Sequence, residues 1–352
     1  MERKHTNIMM IETVTSIWQR LLHRSSIRAE DNFFDLGGNP SIAVQLFSEI
    51  AQVYGRELPP SMIYCAPTIE ALAVMLEQPT LSRFPPLVLL RSGTGNQPVF
   101  IAHGLGGNVM DLFLLVKHLR SPRPIYGLQA RGLDGVDEPF ERIEDMAQFH
   151  VNAIKELQPH GPYWLIGYSL GGLVMLEIAQ RLSQNGDKMA LLAMLESYPH
   201  SRFLSLAQRL RLLTRLTQHY ASNAMALPMR EAFSYILRHL AGRLHISADG
   251  QGGMRDRRPD GVSFSPTVAR VRDSAYRALE RYRPRFYNGK IRFVRAETST
   301  EFPKDAAAVW SNLADEFELE TIPGDHLGIL TVHFETIASV LSRYLDDASS
   351  SE

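Results

Sequence analysis

Apolar residues recur along this chain in two different patterns. In the first 76 residues they recur at helical spacing, in three stretches at 14–22, 43–54 and 69–76. From residue 99 onward, short continuous apolar runs alternate with helical stretches. The runs lie at 99–102, 125–128, 163–166, 189–195, 290–294 and 317–322. Such alternation predicts a doubly wound, mostly parallel sheet covered by helices. The chain is therefore predicted to combine a small all-α bundle with a larger α/β domain.

Composition places the boundary between the two domains. Between about residues 78 and 98 the chain is enriched in Pro, Ser, Gly and Thr, which is typical of a linker. We therefore predict a helical domain at 1–79, a linker at 80–97 and an α/β domain at 98–348. An apolar run at 87–90 is expected to hold the linker against the following domain.

The stretch at about 197–285 interrupts the strand pattern. It contains only amphipathic helical runs, so we expect a helical insertion, most simply a lid over the active site. It carries sixteen arginines, no lysine and six acidic residues, a formal charge of +10. Two explanations of these arginines stay open, namely solvated helix faces and docking of an anionic carrier or substrate.

A candidate nucleophile lies at the centre of the α/β domain. Residues 167–171 read Gly-Tyr-Ser-Leu-Gly, and they lie between the apolar run at 163–166 and a helical stretch at 170–182. A G-x-S-x-G motif between strand and helix is typical of a nucleophile elbow, in which the serine occupies a strained and exposed turn. Ser169 is the predicted nucleophile, against the alternative of a chance match among small residues.

A serine nucleophile needs a base and an acid. His326 follows a late strand and a Pro-Gly turn, and it satisfies the order serine, acid, histidine. His103 precedes the nucleophile and is expected to shape the backbone of its own loop. Glu196 is favoured as the acid because it directly follows the run at 189–195, at the crevice end of the sheet. The competing acids are Glu297, Glu301 and Asp305, which also lie between Ser169 and His326.

Two backbone amides are needed to stabilise the oxyanion of acyl transfer. One comes from the residue after the nucleophile, Leu170, and the other from the glycine-rich loop at 103–107, where Leu105 is the candidate. A dinucleotide fingerprint is the rival interpretation of this loop. The third glycine of that motif would fall on Val109, which argues against a nucleotide.

The helical domain contains the motif Asp-Asn-Phe-Phe-Asp-Leu-Gly-Gly at 31–38, which resembles the signature of carrier domains in nonribosomal peptide and polyketide synthases. Such domains carry a phosphopantetheine arm on a serine at the start of the second long helix. Here Pro40 occupies the usual place of that serine and Ser41 follows it. The resemblance implies phosphopantetheine on Ser41, with a carrier fold retained only for docking as the alternative.

Residues 86–345 resemble the terminal thioesterases of the same synthases. The matching segments are 103–107, 167–172, 282–284, 287–289 and 324–326. The resemblance implies an α/β-hydrolase fold with a helical lid, and release of an acyl, peptidyl or polyketide chain by Ser-His-acid covalent catalysis, through hydrolysis or cyclisation. In that family an aspartate usually occupies the position of Glu196.

The resemblance also implies partners, and two other functions stay open. An upstream synthase or acyl-loading enzyme would supply the thioester, and a phosphopantetheinyl transferase would modify Ser41. The alternatives are a catalytically silent carrier and interaction module, and a plain carboxylesterase.

Composition argues against several classes of partner and site. The net charge of −1 gives no field that would attract nucleic acid, and no apolar run approaches the roughly 20 residues that span a bilayer. Cys65 is the only cysteine, so no internal disulfide can form, and no Cys/His spacing resembles a zinc site. We expect a soluble cytoplasmic protein that needs no metal, nucleotide or redox cofactor.

Overall fold

The computed structural model describes residues 2–56, 58–78, 84–204, 266–298 and 305–350, together with residues 206 and 214. The predicted lid at about 197–285 therefore lies largely outside the described residues. The amphipathic helical runs predicted within it, at 203–216 and 232–244, also lie almost wholly outside the described residues.

The N-terminal domain is a small all-α bundle, as predicted, with four helices among its described residues. They are α1 (Glu2–Leu21), α2 (Pro40–Tyr54), α3 (Met62–Cys65) and α4 (Ile69–Glu77). Their apolar faces meet in one core, in which Trp18 and Phe33 pack edge to face with ring centroids 5.1 Å apart. Leu46 and Ile50 of α2 and Leu72 of α4 are fully buried in this core.

A seven-stranded sheet forms the centre of the second domain. Its strands are β1 (Leu87–Arg91), β2 (Val99–Ala102), β3 (Ile125–Leu128), β4 (Tyr163–Tyr168), β5 (Met189–Leu195), β6 (Tyr287–Ala296) and β7 (Ala314–Ile322). Their order is β1-β3-β2-β4-β5-β6-β7. Every neighbouring pair is parallel except β1 and β3. The predicted mostly parallel sheet is confirmed.

Residues 87–91 of the predicted linker pair with the second domain, as expected for the apolar run at 87–90. These residues form the edge strand β1, in which Leu87 pairs with Leu128 and Val88 with Gly127. The Pro- and Gly-rich flanks dominate the composition of the segment. The short apolar run inside it satisfies its backbone hydrogen bonds against β3, and Val88 is buried.

Helices cover both faces of the sheet. They are α5 (Phe113–His118, preceded by a 3₁₀ turn at Val109–Leu112), α6 (Ile143–Leu157), α7 (Leu170–Gln184), α8 (Pro266–Arg281), α9 (Ala306–Trp310), α10 (Gly328–Thr331) and α11 (Phe334–Ser350). One buried cluster joins the sheet to α6, α7 and α8, and a second joins it to α5 and α11. Helices on both faces make the sheet doubly wound, as predicted.

The N-terminal domain packs against the second domain through Phe34 of the 31–38 loop. The ring of Phe34 stacks on Tyr64 of α3 at 4.6 Å between centroids, and on Phe113 of α5 at 5.7 Å. The buried cluster of the N-terminal domain continues into Met110 and into Val271 of α8. An apolar interface therefore joins the 31–38 loop to the region around α5 and α8.

Phe113→Ala is expected to loosen this interface without unfolding either domain. An aromatic pair contributes about 1 kcal/mol beyond its buried area, so the ratio of docked to undocked molecules should fall roughly fivefold. Amide hydrogen exchange at residues 31–38 should become correspondingly faster. Arg120→Ala, at an exposed side chain just beyond α5, is the control and should leave hydrogen exchange at residues 31–38 unchanged. Equal exchange in the two variants would contradict the interface.

Candidate active site

Ser169 lies in a sharp turn between β4 and α7. Its backbone has φ 54° and ψ −121°, a left-handed conformation that is strained for a residue with a side chain. The Ser169 N–H donates to the Leu195 carbonyl at 2.8 Å, which ties the turn to β5. A Cβ at Gly171 would lie 2.3 Å from the His103 carbonyl oxygen, so only glycine allows this approach. The sequence motif has therefore folded into an elbow that presents the serine.

His326 meets Ser169 from the loop that follows β7. Its Nε2 lies 3.1 Å from Ser169 Oγ. The Tyr168 hydroxyl donates to the His326 carbonyl at 2.6 Å, and the two rings stack with centroids 5.1 Å apart. Tyr168 thus holds both the backbone and the ring of His326, a role that sequence reasoning missed. Its only signal was its position beside the serine.

Glu196 meets the opposite nitrogen of His326. Its Oε2 lies 3.4 Å from His326 Nδ1, and its Oε1 accepts the Ala296 N–H at 2.8 Å. The carboxylate is fully buried, and the backbone has φ 48°. The Glu196 N–H also donates to the Val294 carbonyl. Glu196 is therefore fixed to β6 at both its backbone and its side chain, and the second carboxylate oxygen faces the histidine.

The competing acids are placed differently. Asp305 caps α9, where its Oδ1 accepts the Ala308 N–H at 2.9 Å. Glu297 is exposed, and its backbone N–H donates to Ile322. Glu301 lies outside the described residues. Of the acids that the structure describes between the serine and the histidine, Glu196 is the one paired with His326.

The loop at 103–107 lies directly against the elbow. A Cβ on Gly104 would lie 3.4 Å from Ser169 Cβ. Within the described ranges, the Leu105 and Leu170 amides have no hydrogen-bond partner. Leu170 begins α7, where the first N–H groups of a helix have no internal acceptor. One amide thus belongs to the residue after the serine, and the other to the loop that packs against the elbow.

His103 does not take part in the Ser169 contacts. Its Nδ1 lies 2.6 Å from the Gly104 carbonyl, which pairs it with its own loop. Burial lowers the pKa of His103 to about 4, so the ring is neutral near pH 7 and Nδ1 carries the donated proton. This geometry is the one expected for a histidine that shapes the loop.

Ser41 lies in the first turn of α2. Asn39 is the N-cap, its Oδ1 accepts the Ile42 N–H at 3.1 Å, and Pro40 is the first helical residue. The Ala43 N–H donates to the Asn39 carbonyl. In this part of the chain, the Ser41 amide is therefore the first-turn N–H without a hydrogen-bond acceptor. The Ser41 side chain is exposed. An attached phosphodiester would fit here, with one free amide and the positive helix end beside it.

The described ranges contain neither a cluster of metal ligands nor a helix that could span a membrane. No group of three or more His, Cys, Asp or Glu side chains there could hold a metal ion. None of the helices described there is both long and apolar enough to cross a membrane.

Residues 97–345 match the model of the family described as "Thioesterase domain", which covers more than half of the chain. The chain belongs to this thioesterase family. Residues 12–76 match a second model, described as "Phosphopantetheine attachment site". The predicted combination of a carrier domain with a thioesterase domain is confirmed, and phosphopantetheine is the cofactor that the carrier domain implies.

Relatives of this thioesterase are much longer proteins. It is 37% identical over 190 residues to the "Dimodular nonribosomal peptide synthase" of Bacillus subtilis (strain 168). The aligned stretch covers 54% of this chain and 8% of that protein. It is also 37% identical over 191 residues to the "Indigoidine synthase" of Dickeya dadantii (strain 3937), with 53% and 13% covered. The chain thus matches a small fraction of the length of these synthases.

Solved structures give the same fold. The four-domain nonribosomal peptide synthetase AB3403, bound to AMP and glycine, matches with a TM-score of 0.56 at 22% identity, over 95% of this chain and 26% of that one. The type II thioesterase BorB of the borrelidin cluster matches with a TM-score of 0.52 at 18% identity, over 75% and 98%. The predicted α/β-hydrolase fold of the second domain is confirmed.

Proposed function

We propose that this thioesterase releases an acyl, peptidyl or polyketide chain from a phosphopantetheine thioester, with Ser169 as nucleophile, His326 as base and Glu196 as acid. The observation that carries the proposal is the continuous set of contacts from the buried Glu196 carboxylate through His326 to Ser169 Oγ. We assign the Leu105 and Leu170 amides to the oxyanion, because one lies on the loop packed against the elbow and the other directly follows the serine. This is the arrangement that acyl transfer to a serine requires.

In the first half-reaction, His326 Nε2 takes the Ser169 proton as Oγ attacks the thioester carbonyl carbon. The Leu105 and Leu170 amides bind the oxyanion that forms. The carbon–sulfur bond then breaks, and His326 returns the proton to the departing sulfur. The acyl group is left as an ester on Ser169.

In the second half-reaction, His326 takes a proton from water, or from a hydroxyl or amine of the acyl chain itself. That oxygen or nitrogen attacks the ester, and the proton returns to Ser169 Oγ as the product leaves. Water gives a free acid, and an internal nucleophile gives a ring. Throughout, Glu196 accepts a hydrogen bond from the His326 Nδ1–H, which holds the tautomer that leaves Nε2 free to act as the base.

Ser41 is the residue that we propose as the attachment point of the arm. Phosphopantetheine, when attached, supplies the thiol that carries the acyl group. Modification requires a phosphopantetheinyl transferase, and the acyl group requires an upstream synthase or loading enzyme. We place these partners and this chain in a reducing cytoplasm, because the lone Cys65 has no partner within the chain.

Incubation with coenzyme A and a broad-specificity phosphopantetheinyl transferase should add one arm to the intact chain, measured by mass. Ser41→Ala is expected to abolish the addition. The double variant Pro40→Ser/Ser41→Leu, which restores the usual serine position, is the positive control for the transferase. Modification of this double variant alone would mean that the native chain draws its acyl group from another carrier.

Matched substrates test the release reaction. We expect the wild-type chain to hydrolyse an acyl-pantetheine thioester with a higher kcat/KM than the oxygen ester of the same acyl group. A catalytically silent module would hydrolyse neither substrate. A carboxylesterase would cleave the oxygen ester at least as well as the thioester, and that result would overturn the proposal.

A further inference from the structure

A mainly apolar cavity lies beside the elbow, between the 103–107 loop, α6, α7 and α8. Leu170, the residue after the nucleophile, lines it together with His103. Its walls are otherwise mainly apolar, and they include Leu128, Phe140, Met146, Phe149, Val174 and Val271. The cavity therefore lies next to the nucleophile, bounded by His103 and by Leu170 and Gly171 of the elbow, and its interior is apolar, as acyl-binding cavities are.

His150 is the unusual member of this lining. It lies on α6 and is only 5% exposed, and its Nδ1 has no hydrogen-bond partner within the described ranges. A buried polar atom without a partner is destabilising, because it has lost its hydrogen bonds to water. The catalytic steps above do not use His150, and its place on the buried face of α6 is one where an apolar residue would satisfy packing.

The two histidines of the cavity are both uncharged. Burial, with a smaller effect from nearby His103, lowers the pKa of His150 to about 3. His103 donates its Nδ1 proton to Gly104, which leaves a lone pair on its Nε2. A neutral imidazole offers one donor and one acceptor. His103 and His150 thus place uncharged hydrogen-bonding groups in the wall of an otherwise apolar cavity.

We propose that this cavity is an acyl subsite that selects chains with an apolar stem and one neutral hydrogen-bonding group, a hydroxyl or a carbonyl, which pairs with His150. The inference rests on the proposed function, because the chain must reach the cavity as an ester of Ser169. Apolar walls discriminate weakly between chains that differ by a methylene. A buried polar group left unpaired by the wrong chain discriminates strongly.

The test is a position scan with hexanoyl-pantetheine and its 3-, 4-, 5- and 6-hydroxy derivatives. For the wild-type chain we expect one hydroxylated substrate to exceed hexanoyl in kcat/KM by about 10- to 100-fold, the equivalent of about 1.4 to 2.8 kcal/mol. His150→Phe should bring that ratio close to one. His150→Gln keeps a hydrogen-bonding group and should retain part of the preference.

Controls separate this inference from the proposed function. Glu156→Gln, at an exposed position of the same helix, should keep the wild-type ratio. Because the readout is a ratio within each variant, a general loss of activity does not mimic the expected result. If His150→Phe does not fold, His150→Gln and the wild-type scan still decide.

Two outcomes overturn the inference while leaving thioester release intact. One is a wild-type scan in which no hydroxyl position is preferred. The other is a preference that His150→Phe leaves unchanged. Absence of any thioester turnover by the wild-type chain, with acetyl-pantetheine included, overturns the proposed function and this inference together.

Discussion

Ser169→Ala is expected to lower kcat for thioester release by on the order of 10⁶, the loss typical of removing a triad nucleophile. The change removes the oxygen that His326 activates and on which the acyl group would be carried. It adds no bulk, and the Ser169 N–H that bonds Leu195 remains in place. Release of free thiol from an acyl-pantetheine thioester, followed over time, measures the effect.

The control for this prediction is Ser48→Ala, at an exposed serine of α2, which should retain the wild-type rate. Equal melting temperatures of the wild type and both variants would show that the fold is intact. Thioester turnover by Ser169→Ala within tenfold of wild type would mean that another group is the nucleophile.

Glu196→Gln is expected to lower kcat by about 10⁴, the loss typical when a triad carboxylate becomes an amide. The amide oxygen can still accept the Ala296 N–H, so the side chain should keep its place. Its NH₂ group would then face His326 Nδ1 and donate to it. That contact favours the tautomer with the proton on Nε2, which cannot accept the Ser169 proton.

Two other acids provide matched controls for Glu196→Gln. Glu297→Gln and Asp305→Asn make the same kind of change at exposed positions, and both should keep wild-type turnover within about twofold, as surface changes usually do. If Glu196→Gln is fully active and one of the other two is inactive, the acid comes from beyond β6. In that case the contact between the buried Glu196 carboxylate and His326 would have no role in catalysis.

Local patterns were enough to predict the elements that carry the site. The run at 189–195 coincides with β5, and the helical stretch after Ser169 with α7. The motif around Ser169 requires its strained turn, so the position of the nucleophile follows from five consecutive residues. These features depend on short-range sterics and on the periodicity of apolar residues, which a sequence displays directly.

Long-range features could not be obtained in this way. Glu196 and His326 are 130 residues apart, and their contact depends on a positive φ at Glu196 that no periodicity indicates. His150 resembles an ordinary buried position of an amphipathic helix, and whether its nitrogen finds a partner depends on elements from elsewhere in the chain. Strand β1 was not predicted as a strand for a related reason, because within the described residues it pairs with the distant strand β3 alone.

Capture of the acyl-enzyme tests the central claim most directly. The chain is mixed with an excess of a slowly released acyl-pantetheine thioester, quenched in acid, weighed intact and digested for peptide mapping. We expect one added acyl group on the peptide that contains Ser169, and none in Ser169→Ala. An acyl group that maps to another residue, or one that Ser169→Ala also acquires, would contradict release through Ser169.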